Sequence, residues 1–302
     1  MSNTDAFLAV VNPAAGGGRC RKLVSEALDR LRAGGVKLDL VETTSPGQGA
    51  HLARDGYARG YRKFIAVGGD GTSYEIVNGL FPRRESDEPP TLAFLPLGTG
   101  NSFLRDFTDR GVEHAIEALI AGRSQPCDVL RLRHTEGVLH YINLLAMGFA
   151  ADVATLRARH FSGWGELGYQ SSILISLARF RRRPFPVRVD GGSAIDRRPC
   201  LFLTFNNSKF TGGTMMIAPK AEVNDGLIEY VRWGPIGRVG LIRNLPTLYD
   251  GTHIHHPLAE RRAANRLDFY LDSPVDVMVD GEVLTLQCQT LDVLPSALRV
   301  VV

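Results

Sequence analysis

Hydrophobic positions follow two alternating rhythms in the first third of the chain. Phe7 to Val11 is an unbroken apolar run. After Asn12-Pro13 and a cluster of glycines, Leu23, Val24, Ala27, Leu28 and Leu31 recur at helical spacing until Gly34-Gly35 stops them. This predicts a strand, a loop and a helix. Val36 to Val41, Phe64 to Val67 and Leu92 to Leu95 read as further strands, with helices at Ala50 to Ala58 and Ser73 to Leu80. Short strands that are apolar on both faces and alternate with helices predict a parallel sheet covered on both sides.

From about Asp128 the rhythm shortens. Leu201 to Phe205, Leu227 to Val231, Phe269 to Leu271, Val275 to Val279 and Val283 to Leu286 are β-prone runs. Asp190-Gly191-Gly192, Asn224-Asp225-Gly226 and Asp280-Gly281 punctuate them with residues that favour hairpin turns. The second part therefore reads as mostly antiparallel β, a sandwich. Two helices interrupt it, Glu166 to Phe180, followed by Arg181-Arg182-Arg183-Pro184, and one near Gly240 to Tyr249. The fold class is α/β, an N-terminal parallel-sheet domain over residues 1–128 and a C-terminal β-sandwich domain over residues 129–289.

Composition limits the function. A chain of 302 residues with 44% hydrophobic and 22% charged residues has material for two ordinary domains and is not disordered by composition. Lys plus Arg (35) nearly balances Asp plus Glu (32), so the basic excess of a nucleic-acid binder is missing. Cys20, Cys127, Cys200 and Cys288 lie far apart, which argues against a zinc site or disulfide framework and suits a reducing compartment. The first residues lack the layout of a signal peptide, and the apolar stretch from Val138 to Ala151 is interrupted by His140 and Asn143. It falls short of the ~20 residues that span a bilayer. A cytoplasmic protein is expected.

The strongest chemical signal is Phe64-Ile65-Ala66-Val67-Gly68-Gly69-Asp70-Gly71-Thr72-Ser73-Tyr74-Glu75, a buried strand running through a glycine turn into a helix. Thr72 and Glu75 have capping-box spacing. Glycines allow a phosphate close to the backbone, and free N–H groups at a helix start attract it. An ordinary strand-to-helix turn has the same composition. Asp70 would repel phosphate unless it faces a cation or a hydroxyl, so it reads as a metal-side or substrate-side group. Asn12-Pro13-Ala14-Ala15-Gly16-Gly17-Gly18 and Leu97-Gly98-Thr99-Gly100-Asn101 also follow strands of this sheet. Three glycine loops on one edge predict a nucleotide site. No Gly-Lys-Ser/Thr follows any of them, so none is a Walker loop.

Gly-Gly-Asp-Gly-Thr at 68–72, Leu-Pro-Leu-Gly-Thr-Gly-Asn-Ser-Phe at 95–103, Asn-Asp-Gly-Leu at 224–227 and Val-Asp-Gly-Glu at 279–282 occur in that order. In this the chain resembles the diacylglycerol kinase catalytic-domain superfamily, and most of all its bacterial lipid kinases related to sphingoid-base and ceramide kinases. The resemblance implies a nucleotide-binding first domain, an active site in a cleft between the domains, and a C-terminal segment, about 290–302, packed back on the first domain. It implies ATP as phosphate donor, with nucleotide contacts at Asn12, Thr44, Gly68, Gly69, Asp70, Gly71, Thr72, Gly98, Thr99 and Asn101. Mg²⁺ would lie at Asp225 with the main chain of Glu222 and Leu227, and Glu282 would be the base that takes the proton of a lipid hydroxyl, with Asp70 beside it in catalysis.

Both carboxylate sites have plain alternatives, since Asp280-Gly281 is a hairpin turn and Asn224-Asp225-Gly226 is built from common turn formers. Diacylglycerol kinases of this kind usually carry Asp after Gly-Thr-Gly-Asn, and here the residue is Ser102. A small neutral residue there, with Met147 to Val153 and Gly165 to Tyr169, is similar to sphingoid kinases, so diacylglycerol, ceramide and a sphingoid base all remain acceptors to weigh. Arg179, Arg181, Arg182 and Arg183 cap an apolar helix that could lie on the inner face of an anionic membrane or simply pack in the core. The partner expected is a lipid at a membrane surface, with no nucleic acid, and a homodimer is also admitted. His253, His255 and His256 read as a solvated helix end, and Asp128 as a supporting acid. An NAD kinase shares the Gly-Gly-Asp-Gly loop but needs an Asn-Glu pair that is absent after Gly98-Thr99-Gly100; a non-catalytic nucleotide sensor of this fold is the other alternative.

Overall fold

The computed structural model describes residues 5–83, 87–160, 171–172, 175–179 and 181–302. Two compact units divide the chain, residues 1–129 with 295–302, and residues 130–294.

In the first unit, strands and helices alternate as β1 Phe7–Val11, α1 Arg19–Ala33, β2 Leu38–Glu42, α2 Gln48–Ala58, β3 Lys63–Gly68, α3 Asp70–Leu80, β4 Thr91–Pro96 and α4 Val112–Ala121. The strands pair in parallel in the order β2-β1-β3-β4. Side chains alternate across the sheet. Ala9, Val11, Ile65, Val67, Ala93 and Leu95 meet Val24, Leu28 and Leu31 of α1 and Ile116 and Leu119 of α4 in one core cluster. The opposite face takes α2 and α3 so closely that a Cβ on Gly56 would lie 2.3 Å from Leu8, and one on Gly79 would lie 2.2 Å from the carbonyl oxygen of Ala50. Residues Arg299–Val301 return to pair in parallel with Thr91–Ala93 of β4.

The second unit opens with the end of β5 Ser124–His134, then β6 Gly137–Tyr141, β7 Leu144–Gly148, α5 Phe149–His160, β8 Val187–Val189, β9 Phe202–Asn206, β10 Phe210–Thr211, β11 Met215–Met216 and β12 Ile228–Trp233. It continues with α6 Arg238–Asn244, α7 Thr247–Asp250, β13 Ala259–Ala264, β14 Arg266–Phe269, β15 Val275–Val279, β16 Glu282–Leu286 and the start of β17 Cys288–Val301. Six strands form one antiparallel sheet, β13-β12-β9-β7-β15-β16. Elsewhere β6 pairs with β5, and β14 lies between β8 and residues 290–292 of β17. Trp233 is fully buried and meets Phe202 edge to face at 5.7 Å.

The differences from the sequence reading are local. Helix α3 begins at Asp70, not Ser73; its N-cap is Gly69, and no side chain caps it. Asn224-Asp225-Gly226 leads into β12 but joins no hairpin, because β12 pairs with β9 and β13. The strand expected at Phe269 to Leu271 is β14, which ends at Phe269. Of the helix expected over Glu166 to Phe180, residues 171–172 and 175–178 are helical; the remainder of that expectation lies mostly outside the described residues. His253 is no solvated helix end: it is 1% exposed, faces the carbonyls of Ile217 and Thr247 through its two ring nitrogens, and packs on Trp233. Burial lowers its pKa. Among the described residues, no helix is long and apolar enough to cross a membrane.

Candidate functional site

Because β1, β3 and β4 are parallel neighbours, the loops that follow them share one edge of the sheet. Backbone hydrogen bonds join two of these loops: Gly98 N–H donates to the Gly68 carbonyl at 2.8 Å, and Asp70 N–H to the Gly100 carbonyl at 2.8 Å. The third is tied to β3, where Asn12 N–H donates to the Val67 carbonyl at 3.0 Å. Glycine is needed here for the approach of one loop to the other. A Cβ on Gly69 would sit 2.7 Å from the Gly100 oxygen, and one on Gly98 would sit 2.8 Å from the Gly69 nitrogen. Gly17 and Gly18, at φ 65° and 88°, face open space instead.

Asp70 lies in the first turn of α3, where the helix dipole favours a carboxylate. Its Oδ2 accepts the Ser102 N–H at 2.9 Å, so the carboxylate is a third tie between the loops. Burial pushes its pKa above the ordinary value, and the donors of Ser102 and Phe103 hold that rise back. The Thr72 hydroxyl is buried with no hydrogen-bond partner and stands over Gly68, where a Cβ would lie 2.3 Å from it. A buried orphan hydroxyl costs stability, of order 1–3 kcal/mol, unless a ligand or water satisfies it. A pocket of about 10 Å³, room for roughly one water, lies between Gly68, Gly69, Asp70, Ser73 and Asn101 on the same edge. Larger ligands would have to lie along the open edge.

The remaining expected contacts are used locally. Asn12 Oδ1 accepts the Ala14 N–H at 3.1 Å, and Asn101 donates to the Gly98 carbonyl at 3.2 Å. Thr44, exposed, donates from its N–H and hydroxyl to Gln48 Oε1. Thr99 is exposed and Gly71 half-buried on the same edge. Sequence reasoning misassigned Glu75. Its two carboxylate oxygens accept the N–H groups of Gly47 and Gly49, both at 2.7 Å, and so cap α2 instead of closing a box with Thr72. Its partners lie 26 and 28 residues away, beyond the reach of a spacing rule.

In the second unit, Asp280 and Gly281 take φ of 47° and 90° and join β15 to β16 directly, a two-residue turn with both residues left-handed. Glu282 follows as the first residue of β16 and is exposed. Asp280 is only 2% exposed. Its Oδ2 accepts the Ile142 N–H at 3.0 Å, and its Oδ1 accepts those of Asn143 and Leu144 at 3.0 and 2.9 Å. The carboxylate thus anchors the turn that presents Glu282, a role that rests on partners 136 to 138 residues away. The same segment is held from its other side, where Asn207 donates to the Ile142 carbonyl at 2.9 Å and the Ser208 hydroxyl donates to Asn143.

Asp225 Oδ1 accepts the Leu227 N–H at 2.9 Å in an exposed turn that also contains Glu222. One carboxylate with nearby main-chain carbonyls is a hard-oxygen donor set of the kind Mg²⁺ takes. Among the described residues, no three His, Cys, Asp or Glu side chains are grouped to hold a metal. A cation here would therefore rest on the Asp225 carboxylate, main-chain oxygens and water. Asp128 is fully buried and accepts the Ser296 N–H at 2.7 Å, holding the φ 49° bend of β17. Asp152, at the start of α5, pairs with Arg183 at 2.5 Å. Gly165 to Tyr169 lie outside the described residues.

Comparisons with known proteins agree with this geometry. Residues 6–132 match the family of the diacylglycerol kinase catalytic domain, and residues 143–302 match the YegS C-terminal NAD kinase β-sandwich-like domain. A diacylglycerol kinase of Mycobacterium tuberculosis is 27% identical over 97% of this chain and 93% of its own. A probable lipid kinase YegS-like of Chromohalobacter salexigens is 32% identical over 68% of this chain and 65% of its own. The fold also superposes on a crystal structure described as a putative diacylglycerol kinase from Bacillus anthracis, with TM-score 0.79, 21% identity and coverage of 100% and 96%. With both domain matches in this order, the chain belongs to the family of diacylglycerol kinase and YegS-like lipid kinases.

Proposed function

We propose that this lipid kinase transfers the γ-phosphate of ATP to the hydroxyl of a membrane lipid, with Glu282 as the base and the glycine edge of the first unit as the nucleotide site. The observation that carries the reading is the fixed presentation of Glu282. The turn that carries this carboxylate is anchored at Asp280 by three main-chain N–H groups, so the backbone position of the base is set in advance, and a positioned base contributes about 10²–10⁴-fold. In the reaction Glu282 accepts the hydroxyl proton, the lipid oxygen bonds to the γ-phosphorus, and the bond from that phosphorus to the β-bridging oxygen breaks to release ADP. Thr72, Thr99 and the main chain of residues 68–72 and 98–101 would hold the phosphates, and Thr44 and Asn12 the nucleoside side. Asp70, raised in pKa by burial, would orient the acceptor hydroxyl or a metal ion. Mg²⁺ at Asp225, Glu222 and Leu227 would supply charge neutralisation and order the loop before β12. Ser102 leaves Asp70 without an acidic neighbour at that position, which favours a sphingoid-type acceptor over diacylglycerol.

The test is incubation with ATP and, in separate reactions, diacylglycerol, monoacylglycerol, sphingosine, ceramide and NAD, with products read by mass. A phosphorylated lipid is expected, its formation reduced about 10²–10⁴-fold in Glu282→Gln and at least ten-fold in Asp70→Asn. Phosphorylation of NAD alone, or full lipid activity in both variants, would overturn the assignment.

A further inference from the structure

Seven large apolar side chains are exposed among the described residues, and four of them fall within residues 239–258: Val239 at 78%, Ile242 at 59%, Tyr249 at 46% and Leu258 at 41%. Their concentration follows from how α6 is built. Its inward side carries Leu241, which joins Leu248 of α7 in the cluster around Trp233 and Phe202. Its outward side carries Val239 and Ile242, three residues apart and therefore on one face. Pro246 and Tyr249 extend the exposed stripe. An ordinary surface helix places polar residues on that side; α6 is apolar on both.

The nearby charges are mostly basic, and the one acidic residue of the two helices, Asp250 at the end of α7, is turned to the Thr252 N–H and hydroxyl. From Ile236 to Tyr249 there is no acidic residue, and Arg238 and Arg243 are the cations. Arg238 donates to the carbonyls of Leu177 and Ala178 at 3.0 and 2.9 Å, which sets the end of the helical residues 175–178 against the start of α6. Arg179, Arg181 and Arg182 follow there, all exposed, and a Cβ on Gly237 would lie 3.5 Å from Arg182 Nη2. Among the described residues, Arg179, Arg181, Arg182 and Arg243 make no ion pair.

We propose that α6 and α7 form a docking surface for an anionic bilayer, with Val239 and Ile242 entering the interface and the arginines at the lipid phosphates. The inference deepens the lipid-kinase reading, because it supplies the place where an enzyme with a membrane-resident acceptor meets its membrane. Apolar side chains flanked by arginines that make no ion pair among the described residues suit a surface that offers hydrocarbon beneath negative charge. Self-association through this patch would set like-charged arginines against one another, which opposes a second copy as occupant.

The experiment is sedimentation of the full chain with vesicles of phosphatidylcholine alone and of an equimolar mixture with phosphatidylglycerol. Binding is expected on the mixed vesicles and to fall with added salt. Val239→Ser with Ile242→Ser should weaken it roughly ten-fold or more, and Arg181→Glu with Arg182→Glu roughly 10- to 30-fold. Phosphorylation of a dispersed, water-soluble short-chain acceptor should be unchanged in all of these variants, whose substitutions are at exposed positions. Equal vesicle binding by either double variant overturns the proposal. So does equal binding to phosphatidylcholine alone, or a wild-type dimer in gel filtration that the serine variant dissolves. Vesicle binding with the expected losses but no product from any lipid would support the surface while sinking the kinase reading.

Discussion

Two of the chain's Asp-Gly pairs, Asp70-Gly71 in the first unit and Asp280-Gly281 in the second, differ in how fully the backbone uses the carboxylate. Asp280 is buried and takes three main-chain N–H groups from one short segment, so its oxygens are committed to holding a turn. Asp70 is half-buried, takes the Ser102 N–H on Oδ2, and is raised in pKa by burial. Identical dipeptides thus serve opposite ends of a division of labour. At 280 the donors converge from one backbone segment and make the aspartate a scaffold for the turn before Glu282; at 70 burial outweighs the donors of Ser102 and Phe103 and leaves the carboxyl with a raised pKa.

The most severe way to break that contrast is Asp280→Ala. It strands three buried N–H donors and should cost about 4 kcal/mol or more in urea unfolding, with Asp280→Asn losing less because one oxygen remains. A loss no larger than that of an average surface substitution would remove the scaffold role.

His140 tests the same segment by pH. It is 2% exposed on β6, just before Ile142 to Leu144, and burial foremost lowers its pKa from 6.5 to about 4. The folded state binds the proton more weakly than the unfolded one, so stability should be full above pH 6.5 and fall by about 3 kcal/mol as pH drops towards 4. His140→Phe should flatten this limb, and an unchanged acid limb in that variant would refute it. Asp70 gives the smallest effect and the opposite sign. With its folded pKa raised above 3.8, its contribution is present at lower pH and lost as pH rises through the raised value. Melting curves of Asp70→Asn should lack that decline.

The first unit was largely legible because its signals are local. Runs such as Phe64 to Val67 and glycine stops at Gly34-Gly35 lie within a single element's length, and β3 and α1 formed where the periodicity put them. What escaped notice was carried by distant partners. Glu75 was read with Thr72 by spacing, yet it bonds to Gly47 and Gly49. The partners of Asp280 are 136 to 138 residues away. Strand β17 was hidden by Pro295 and by the left-handed Ser296, which read as breakers but sit at a bend held by Asp128. The outward apolar stripe of α6 was also invisible, since sequence alone assigns Leu241 and Ile242 the same inward preference.

The pairing of Val300 with Leu92 has a consequence for synthesis on the ribosome. Strand β4 emerges early, yet the strand that covers its flank is translated only after the whole second unit. Through that interval the nascent first unit carries an open strand edge, the kind of template that recruits other chains. Slow elongation or a stall between residues 97 and 298 would lengthen the exposure, so this fold should depend on holding factors during translation more than its native stability would suggest.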